Sequence, residues 1–451
     1  MRKGEIDIIT LGCSKNLVDA ERLMRQLELA GYRCVHDSSM PKGEIAIINT
    51  CGFIGDAKEE SIEMILQFAE RKNKGKLNKL YVMGCLSQRY AKELPSEIPE
   101  VDGWFGKFDY LGIVEACTHT QLSSANSLAC KCADYERTLT TPKHYAYLKI
   151  AEGCNRYCSY CAIPLITGKF TSRAMEDILD EVRWLVTQGV KEFNVIAQDL
   201  SSYGLDLYGE HRLAQLIDQM AQVEGIEWIR LHYAYPTDFP YDILPVMAKY
   251  PNICKYMDIA LQHCSSKVLE KMRRRITREE QDTLIERIRK EVPGICIRTT
   301  LLVGHPGETE EDFNELCDWV KKMRFDRMGA FAYSEEEGTF AARHYTDDIP
   351  QEEKERRVET LMAIQQGISS ETLGQMVGTK QRIVIDREEQ EFYIGRTQYD
   401  SPEVDCEVLI KKEGDEAMRR KGNEAKGKLK IGEFYTVIII KSEDFDLYAS
   451  L

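Results

Sequence analysis

Hydrophobic positions over roughly the first 115 residues follow two alternating periods. Short, nearly continuous apolar runs are typical of buried strands, and they lie at residues 6–11, 45–49 and 80–83. After each run an apolar residue recurs every three or four positions, which predicts helices over residues 17–30 and 56–71 and from about residue 87. Strands that alternate with helices favour a parallel sheet, so we expect an open α/β domain over residues 1–120.

A second α/β segment follows a polar stretch. Residues 118–143 are rich in Ser, Thr and Ala, and we place a linker at residues 121–143. Further strand candidates, most of them separated by helical patterns, lie at residues 145–150, 193–197, 229–232, 257–261, 295–303 and 327–331. Successive β/α units of this kind predict a partial, TIM-like barrel of parallel strands over residues 144–373.

The pattern changes again after a long, charged helix predicted at residues 351–372. Strand candidates with polar turns between them lie at residues 381–386, 392–396, 404–410 and 434–440. No helical pattern separates them. This predicts a small all-β module, an OB-like barrel, over residues 374–451.

Composition narrows the class of protein. Of the 451 residues, 43% are hydrophobic and 30% are charged, which is typical of a soluble protein. No apolar stretch approaches the roughly 20 residues that cross a bilayer, and the first residues lack the pattern of a secretory signal. We therefore expect a cytoplasmic protein without membrane contact.

The charge of the chain bears on its partners. The net charge of −14 disfavours a large nucleic-acid groove and suits a basic protein partner. The net charge of residues 376–451 is also negative, with 13 Lys and Arg against 16 Asp and Glu. A locally basic stretch at residues 419–430 leaves a secondary contact with nucleic acid open.

Fifteen cysteines are spread over the whole chain. In a large cytoplasmic protein such usage indicates metal or redox chemistry rather than a disulfide framework. We interpret Cys130 and Cys132, in the linker, as exposed thiols without a function. Several others lie in apolar or helical patterns and are interpreted as small buried hydrophobic residues: Cys34, Cys254, Cys264, Cys296 and Cys317.

Cys154, Cys158 and Cys161 have the spacing Cys-x3-Cys-x2-Cys, directly after the first strand of the predicted barrel. Iron–sulfur clusters usually take four cysteines, so a loop with three implies an iron open to another molecule. The alternative is a zinc site or three incidental thiols. Structural zinc usually takes four ligands, often from two Cys-x2-Cys pairs, and this loop contains one such pair.

A second group of thiols is predicted in the N-terminal domain. Cys13, Cys51 and Cys85 each follow one of its three predicted strands, and each has a neighbouring glycine. Neighbouring parallel strands are about 4.8 Å apart, so these thiols can converge on one cluster. The glycines would allow a close approach of the backbone. Three separate buried cysteines at strand ends remain the alternative.

Further candidates lie at or near strand ends of the barrel, where ligands of β/α folds collect. The predicted cofactor-binding residues are Tyr160, Gln198, Gln262, Arg298, Thr300 and Gly304. His305 is interpreted as a loop residue rather than a ligand. The basic run at residues 271–275 is interpreted as a solvated helix face.

The cysteine loop resembles that of the radical S-adenosylmethionine superfamily. With the second cysteine set and the terminal β-module, which resembles a TRAM domain, the whole chain resembles the methylthiotransferases. The pieces that carry the resemblance are Leu-Gly-Cys-Ser-Lys-Asn-Leu-Val-Asp-Ala-Glu (11–21), Lys-Ile-Ala-Glu-Gly-Cys-Asn-Arg-Tyr-Cys-Ser-Tyr-Cys-Ala-Ile-Pro (149–164), Val-Gly-His-Pro-Gly-Glu-Thr (303–309) and Gly-Arg-Thr-Gln-Tyr-Asp-Ser-Pro-Glu-Val-Asp (395–405).

These pieces look like the branch that modifies an aspartate of protein 12 of the small ribosomal subunit. The tRNA-modifying branch typically has Gly-Cys-Gln-x-Asn where this chain has Gly-Cys-Ser-Lys-Asn. Thr167 and Thr171 stand where arginines are common in this branch, and Cys406 stands where glycine is usual. These departures bear on substrate contacts rather than on the chemistry.

The resemblance implies two [4Fe-4S] clusters, S-adenosylmethionine as co-substrate and a reducing electron donor. S-adenosylmethionine first methylates a sulfur at the cluster of Cys13, Cys51 and Cys85. A second molecule is cleaved at the other cluster to a radical that abstracts a β-hydrogen from the aspartate, and the methylthio group is transferred there. The alternatives are a tRNA adenosine methylthiotransferase and, more distantly, a non-catalytic iron–sulfur electron carrier.

Overall fold

The apolar runs of the first segment form the central strands of a parallel sheet. The computed structural model describes residues 1–118, 135–412 and 428–451. Its first sheet has the order β2-β1-β3-β4-β5, and all its pairings are parallel, as predicted. The strands are β1 (Arg2–Thr10), β2 (Arg33–His36), β3 (Gly43–Thr50), β4 (Lys79–Gly84) and β5 (Gly103–Trp104). The helices are α1 (Ser14–Leu29), α2 (Gly55–Asn73), α3 (Cys85–Arg89), α4 (Leu94–Glu97) and α5 (Tyr110–Thr118).

The central segment forms a second parallel sheet, the partial barrel that the pattern predicts. Its order is β13-β12-β11-β10-β9-β6. The strands are β6 (Tyr145–Lys149), β9 (Glu192–Ile196), β10 (Trp228–Ala234), β11 (Ile253–Gln262), β12 (Cys296–Val303) and β13 (Arg327–Ala332), with a separate short pair β7 (Ala151–Glu152) and β8 (Thr171–Ser172). The helices are α6 (Ile163–Thr167), α7 (Met175–Thr187), α8 (Leu205–Tyr208), α9 (Leu213–Ala221), α10 (Ile243–Lys249), α11 (Ser266–Lys271), α12 (Arg278–Glu291), α13 (Glu310–Met323), α14 (Phe340–His344) and α15 (Gln351–Gly374), with a 3-10 turn at Leu200–Ser202.

Alternation along the barrel strands separates a helix-covered face from an inner face. In β12, Ile297, Leu301 and Val303 are fully buried in the main hydrophobic core. Arg298 and Thr300 alternate with them and are only partly buried. Because successive side chains of a strand point to opposite faces, the partly buried residues line the inside of the open barrel.

The last segment is a closed five-stranded barrel in the order β14-β15-β16-β18-β17. Its strands are β14 (Lys380–Glu388), β15 (Phe392–Thr397), β16 (Glu407–Lys411), β17 (Phe434–Ser442) and β18 (Asp446–Ser450). The predicted OB-like module is confirmed, but the prediction missed β18. That strand is short, and its two buried apolar residues, Leu447 and Ala449, alternate with polar ones, so it contains no apolar run.

Buried ion pairs join the three segments. Between the first two, the ammonium of Lys149 lies between the carboxylates of Asp19 in α1 and Glu152, and it is 2.8 Å from Glu152. The ammonium of Lys107 lies 2.9 Å from the same Glu152. The N-terminal domain is therefore fixed against the first strand of the barrel.

Part of the predicted linker is described and takes part in these contacts. The guanidinium of Arg137 is buried between Glu21 and Glu181 and is 3.0 Å from Glu181. Cys130 and Cys132 lie outside the described residues. Among the helices that the structure describes, none is both long enough and apolar enough to span a bilayer.

Candidate active site

Cys154, Cys158 and Cys161 lie on one tight loop between β7 and α6. The amide of Cys161 donates to the carbonyl of Cys158 at 3.1 Å, and the amide of Cys154 donates to the carbonyl of Gly168 at 3.3 Å. Gly153 has a φ of +82°, and a Cβ there would lie 2.2 Å from the carbonyl oxygen of Lys169. The loop therefore requires glycine directly before its first cysteine.

Two side chains from the segments that follow β10 and α11 contact this loop. The guanidinium of Arg274 donates to the Cys158 thiol sulfur at 3.4 Å, and the hydroxyl of Tyr235 is 3.5 Å from the same sulfur. Arg274 also lies over the Tyr235 ring, 4.0 Å from its centroid. A buried cation at a thiol stabilises negative charge on its sulfur.

The prediction that residues 271–275 form a solvated helix face is wrong for Arg274, which is only 2% exposed. Helix α11 ends at Lys271, and both Arg273 and Arg275 have positive φ, at +58° and +54°. The chain turns sharply at both residues and inserts the side chain between them into the barrel. Spacing in the sequence does not reveal these two left-handed residues, so this contact could not be predicted.

The three thiols of the loop are chemically suited to bind the positively charged core of an iron–sulfur cluster. Burial raises the pKa of Cys154 to about 12, and burial together with the neighbouring Cys158 raises the pKa of Cys161. Cys154 is buried and the other two are partly buried, so three thiolates on this one loop would repel one another without a compensating cation. Iron supplies that compensation, and thiolate sulfur is the ligand that iron–sulfur clusters take.

The second group of thiols lies at one edge of the first sheet. Cys51 and Cys85 directly follow Thr50 and Gly84, which are paired across β3 and β4. Cys13 follows β1, the other neighbour of β3. The three cysteines thus end three adjacent parallel strands, as predicted.

Glycines bring the three loops into contact. A Cβ on Gly12 would lie 2.8 Å from the Cβ of Cys51 and 3.0 Å from its sulfur. A Cβ on Gly52 would lie 2.8 Å from the carbonyl carbon of Cys85. Such distances leave no room for a side chain, so glycine next to Cys13 and Cys51 is what permits the three thiols to approach.

Asn16 holds the ends of these strands together. Its amide nitrogen donates to the carbonyls of Leu11, at 3.0 Å, and Thr50, at 3.1 Å. Its side-chain oxygen accepts from the Cys85 thiol at 3.6 Å. One buried amide therefore fixes the first, second and third cysteine loops relative to each other.

The electrostatics of the second group also suit a cluster. Burial raises the pKa of Cys85 to about 12, and the Lys107 ammonium acts against this rise. Within the described ranges, no group of three His, Cys, Asp or Glu side chains is placed to hold a single metal ion. Thiolate sulfur is the ligand that iron–sulfur clusters take, so three cysteines at the ends of adjacent strands fit such a cluster.

A cavity of about 730 Å³ is lined by chain neighbours of both groups of thiols. Phe53 and Ile54, which follow Cys51, line it from the N-terminal domain. Tyr160, Gln262 and Thr300 line it from the barrel. Three predicted cofactor-binding residues therefore meet in one cavity at the carboxyl ends of the barrel strands, where ligands of β/α folds bind.

Comparison with known proteins follows the same three segments. The Radical SAM superfamily model matches residues 148–320, the model of Uncharacterized protein family UPF0004 matches residues 5–106, and the TRAM domain model matches residues 377–451. The chain is 60% identical, over 100% of both sequences, to "Ribosomal protein uS12 methylthiotransferase RimO" of Bacteroides fragilis. Identity to the protein of the same name is 54% for Porphyromonas gingivalis, over 100% of both chains, and 47% for Cytophaga hutchinsonii, over 100% of this chain and 98% of that protein.

The chain belongs to the RimO family of methylthiotransferases. It is therefore a radical S-adenosylmethionine enzyme, and this membership implies one [4Fe-4S] cluster and S-adenosylmethionine. A solved structure of the radical S-adenosylmethionine methyltransferase TsrM from Kitasatospora setae has a similar fold, with a TM-score of 0.53 at 15% identity. That match covers 73% of this chain and 75% of TsrM.

Three other residues predicted for this RimO-family site do not line the cavity. Gln198 follows β9 and donates to the Glu152 carboxylate, while its own amide oxygen has no hydrogen-bond partner among the described residues. The amide of Gly304 donates to the Glu308 carboxylate at 2.6 Å. Arg298 lies deeper in the barrel, 3.4 Å from Asp258.

His305 is a loop residue, as interpreted, but it is completely buried. Its Nε2 atom lies 3.1 Å from the hydroxyl of Ser159, between the second and third cysteines of the loop. Through this contact with Ser159, His305 helps to fix the position of the cysteine loop in this RimO-family chain. The sequence gives no signal for this contact, since the two residues are far apart along the chain.

Proposed function

We propose that this chain transfers a methylthio group to the β-carbon of an aspartate in protein 12 of the small ribosomal subunit. The observation that carries the proposal is the identity of up to 60%, over the full length, with proteins named uS12 methylthiotransferases. Neighbours of both groups of thiols line one cavity, which supports the proposal because sulfur and a radical source must reach the same carbon. The proposed location is the cytoplasm, where ribosomes are found.

Cys154, Cys158 and Cys161 are proposed to hold the radical-generating [4Fe-4S] cluster. With S-adenosylmethionine bound, that cluster supplies a radical strong enough to remove hydrogen from an unactivated carbon. Arg274 offsets negative charge at the Cys158 sulfur. Tyr160, Gln262 and Thr300 are proposed to contact the co-substrate, since all three line the adjoining cavity.

Cys13, Cys51 and Cys85 are proposed to hold a second, sulfur-supplying [4Fe-4S] cluster. Asn16 keeps their loops in register, and Lys107 partly offsets the negative charge at Cys85. Phe53 and Ile54, which follow Cys51, give the cavity an apolar lining on its N-terminal side. A reducing electron donor is required as a further partner.

The decisive experiment compares ribosomal protein 12 and tRNA from a deletion strain and from the same strain with the gene restored. Mass spectrometry is expected to show that the aspartate loses its methylthio mass in the deletion strain, while methylthio-adenosine in tRNA is unchanged. Loss of the tRNA modification with the aspartate still modified would instead favour the tRNA substrate.

A further inference from the structure

Lys15 is a buried lysine whose ammonium lies over an aromatic ring. It is the second residue of α1 and only 8% exposed. Its Nζ lies 3.4 Å from the centroid of the Tyr233 ring, and it forms no ion pair in the part of the chain that the structure describes. A buried lysine is normally paired with an acid, so an ammonium held only by an aromatic ring has capacity left for an anion.

Tyr233 is turned toward Lys15 by an irregularity in its strand. It is a non-glycine residue with a φ of +66°, and the pairing of β10 with β11 shifts register between Leu231 and Ala234. Such a bulge re-aims a side chain, and a left-handed tyrosine costs free energy that the rest of the fold must supply. Tyr233 is also 36% exposed, so the ring is accessible from the barrel interior.

The acidic side chains nearby are already engaged. Asp258 is 3.4 Å from the guanidinium of Arg298, which also lies 3.3 Å from Asp405. Burial raises the pKa of Asp258, and Arg298 and Lys15 act against that rise. His232, also buried, has its pKa depressed by burial, then by Arg230, Arg298 and Lys15. Asp258 and Asp405 are thus engaged by Arg298, and neither forms an ion pair with the Lys15 ammonium.

Lys15 also lies where the two halves of the site approach each other. It is two residues from Cys13 and next to Asn16, which contacts the Cys85 thiol. Two residues beyond Tyr233, the Tyr235 hydroxyl contacts the Cys158 sulfur. The short segment from Tyr233 to Tyr235 thus runs from Lys15 to the radical loop.

We propose that the Lys15 ammonium, held over the Tyr233 ring, binds the side-chain carboxylate of the target aspartate. This inference rests on the proposed function and names a substrate contact for it. The β-carbon is bonded directly to the carboxyl carbon, so fixing the carboxylate fixes the reacting carbon between the two groups of thiols. A neutral asparagine at the target position would lack the charge that this contact requires.

The test measures how well the reconstituted full-length protein distinguishes aspartate from asparagine. Fluorescently labelled ribosomal protein 12, with Asp or with Asn at the target position, is titrated with wild-type enzyme under anaerobic conditions. A charge-assisted contact predicts that the wild type binds the Asp form about 10- to 100-fold more tightly. Lys15→Met is expected to reduce that ratio to near one, whereas the exposed Lys143→Met keeps it.

Lys15→Arg separates loss of charge from loss of fold. Arginine retains the cation, so this variant is expected to keep a clear preference for the Asp form. The iron content of all three variants is measured in parallel, so that a displaced cysteine loop is detected as lost iron. A Lys15→Met protein with full iron that still prefers the Asp form would overturn the inference, whatever the deletion strain shows about the substrate.

Discussion

At the scale of single residues, substitutions in the two groups of cysteines are expected to have different effects on 5′-deoxyadenosine formation. Cys154→Ala should abolish formation of 5′-deoxyadenosine and lower the iron from about eight atoms to about four per chain. Cys85→Ala should lose a similar amount of iron but still form 5′-deoxyadenosine, because the radical loop is intact. Iron assay and chromatography of the reaction products measure both effects. Cys254→Ala, a buried thiol outside both groups, serves as the control and should keep all the iron.

A buried histidine, His263, is expected to make the stability of the protein depend on pH. Burial lowers the pKa of His263 from its usual value near 6.5 to about 3. The unfolded state therefore takes up the proton first as pH falls below 6.5, and stability is lost progressively down to about pH 3. From pH 6.5 to 5 this residue should cost the wild type about 2 kcal/mol of unfolding free energy.

Thermal midpoints measured between pH 7 and 5 test this expectation. His263→Gln cannot take up that proton, so its midpoint should fall less steeply with acid than that of the wild type. The exposed His344→Gln should follow the wild-type slope. Parallel slopes for wild type and His263→Gln would contradict the argument.

Single residues also show which parts of the site the sequence alone predicts and which it does not. All six proposed cluster cysteines could be selected because their spacing and their places after predicted strands are visible in the sequence. Arg274 and Tyr235 could not, since both reach Cys158 from remote parts of the chain. The place of Arg274 depends on two left-handed neighbours, and no pattern in the sequence encodes that conformation.

At the scale of elements, the turn after β1 can be tested with a matched pair of glycines. Gly12 and Gly31 have nearly the same φ, at +92° and +94°. A Cβ on Gly12 would lie 2.8 Å from the Cβ of Cys51, whereas a Cβ on Gly31 would have nothing within 4 Å. Gly12→Ala should therefore lower iron at the N-terminal thiols and spare 5′-deoxyadenosine formation.

Gly31→Ala carries the same backbone strain without the steric conflict. It should lower the thermal midpoint slightly and leave the iron content unchanged. Equal loss of iron in both variants would mean that strain, rather than contact with Cys51, governs the site. Measuring iron and thermal midpoint on the same samples distinguishes the two causes.

Elements were predicted most reliably where apolar runs are long. The six barrel strands and the three strands that carry cysteines are present, with ends shifted by a few residues. Missed strands such as β5 and β18 are short, and their stability comes from pairing with neighbours rather than from their own apolar content. Pairing of this kind depends on residues distant in the sequence, which a local pattern does not contain.

At the scale of the whole molecule, the terminal barrel closes the amino end of the partial barrel. Arg396 of β15 lies 2.7 Å from Glu192 of β9 and 2.6 Å from Asp386 of β14. Arg230 donates to the backbone carbonyl of Gln398 at 2.6 Å, and Arg327 lies 2.6 Å from Asp400. Net charge alone suggested a binding surface for this module, but Arg396, Asp386 and Asp400 are used in the interface between the barrels.

Because the Arg396 ion pairs are buried, we expect them to stabilise the contact between the two barrels. Arg396→Ala leaves the Glu192 and Asp386 carboxylates without this partner. It should lower the free energy of unfolding by about 3–5 kcal/mol. Arg387→Ala removes an exposed arginine that pairs with Glu389 and Glu407, and should cost less than about 1 kcal/mol. Denaturant unfolding measures both costs, and limited proteolysis between α15 and β14 should be faster only in Arg396→Ala. If the two variants unfold and are cleaved alike, the buried pairs do not hold the barrels together, and the apolar contact of Trp228 with Phe434 must do so instead.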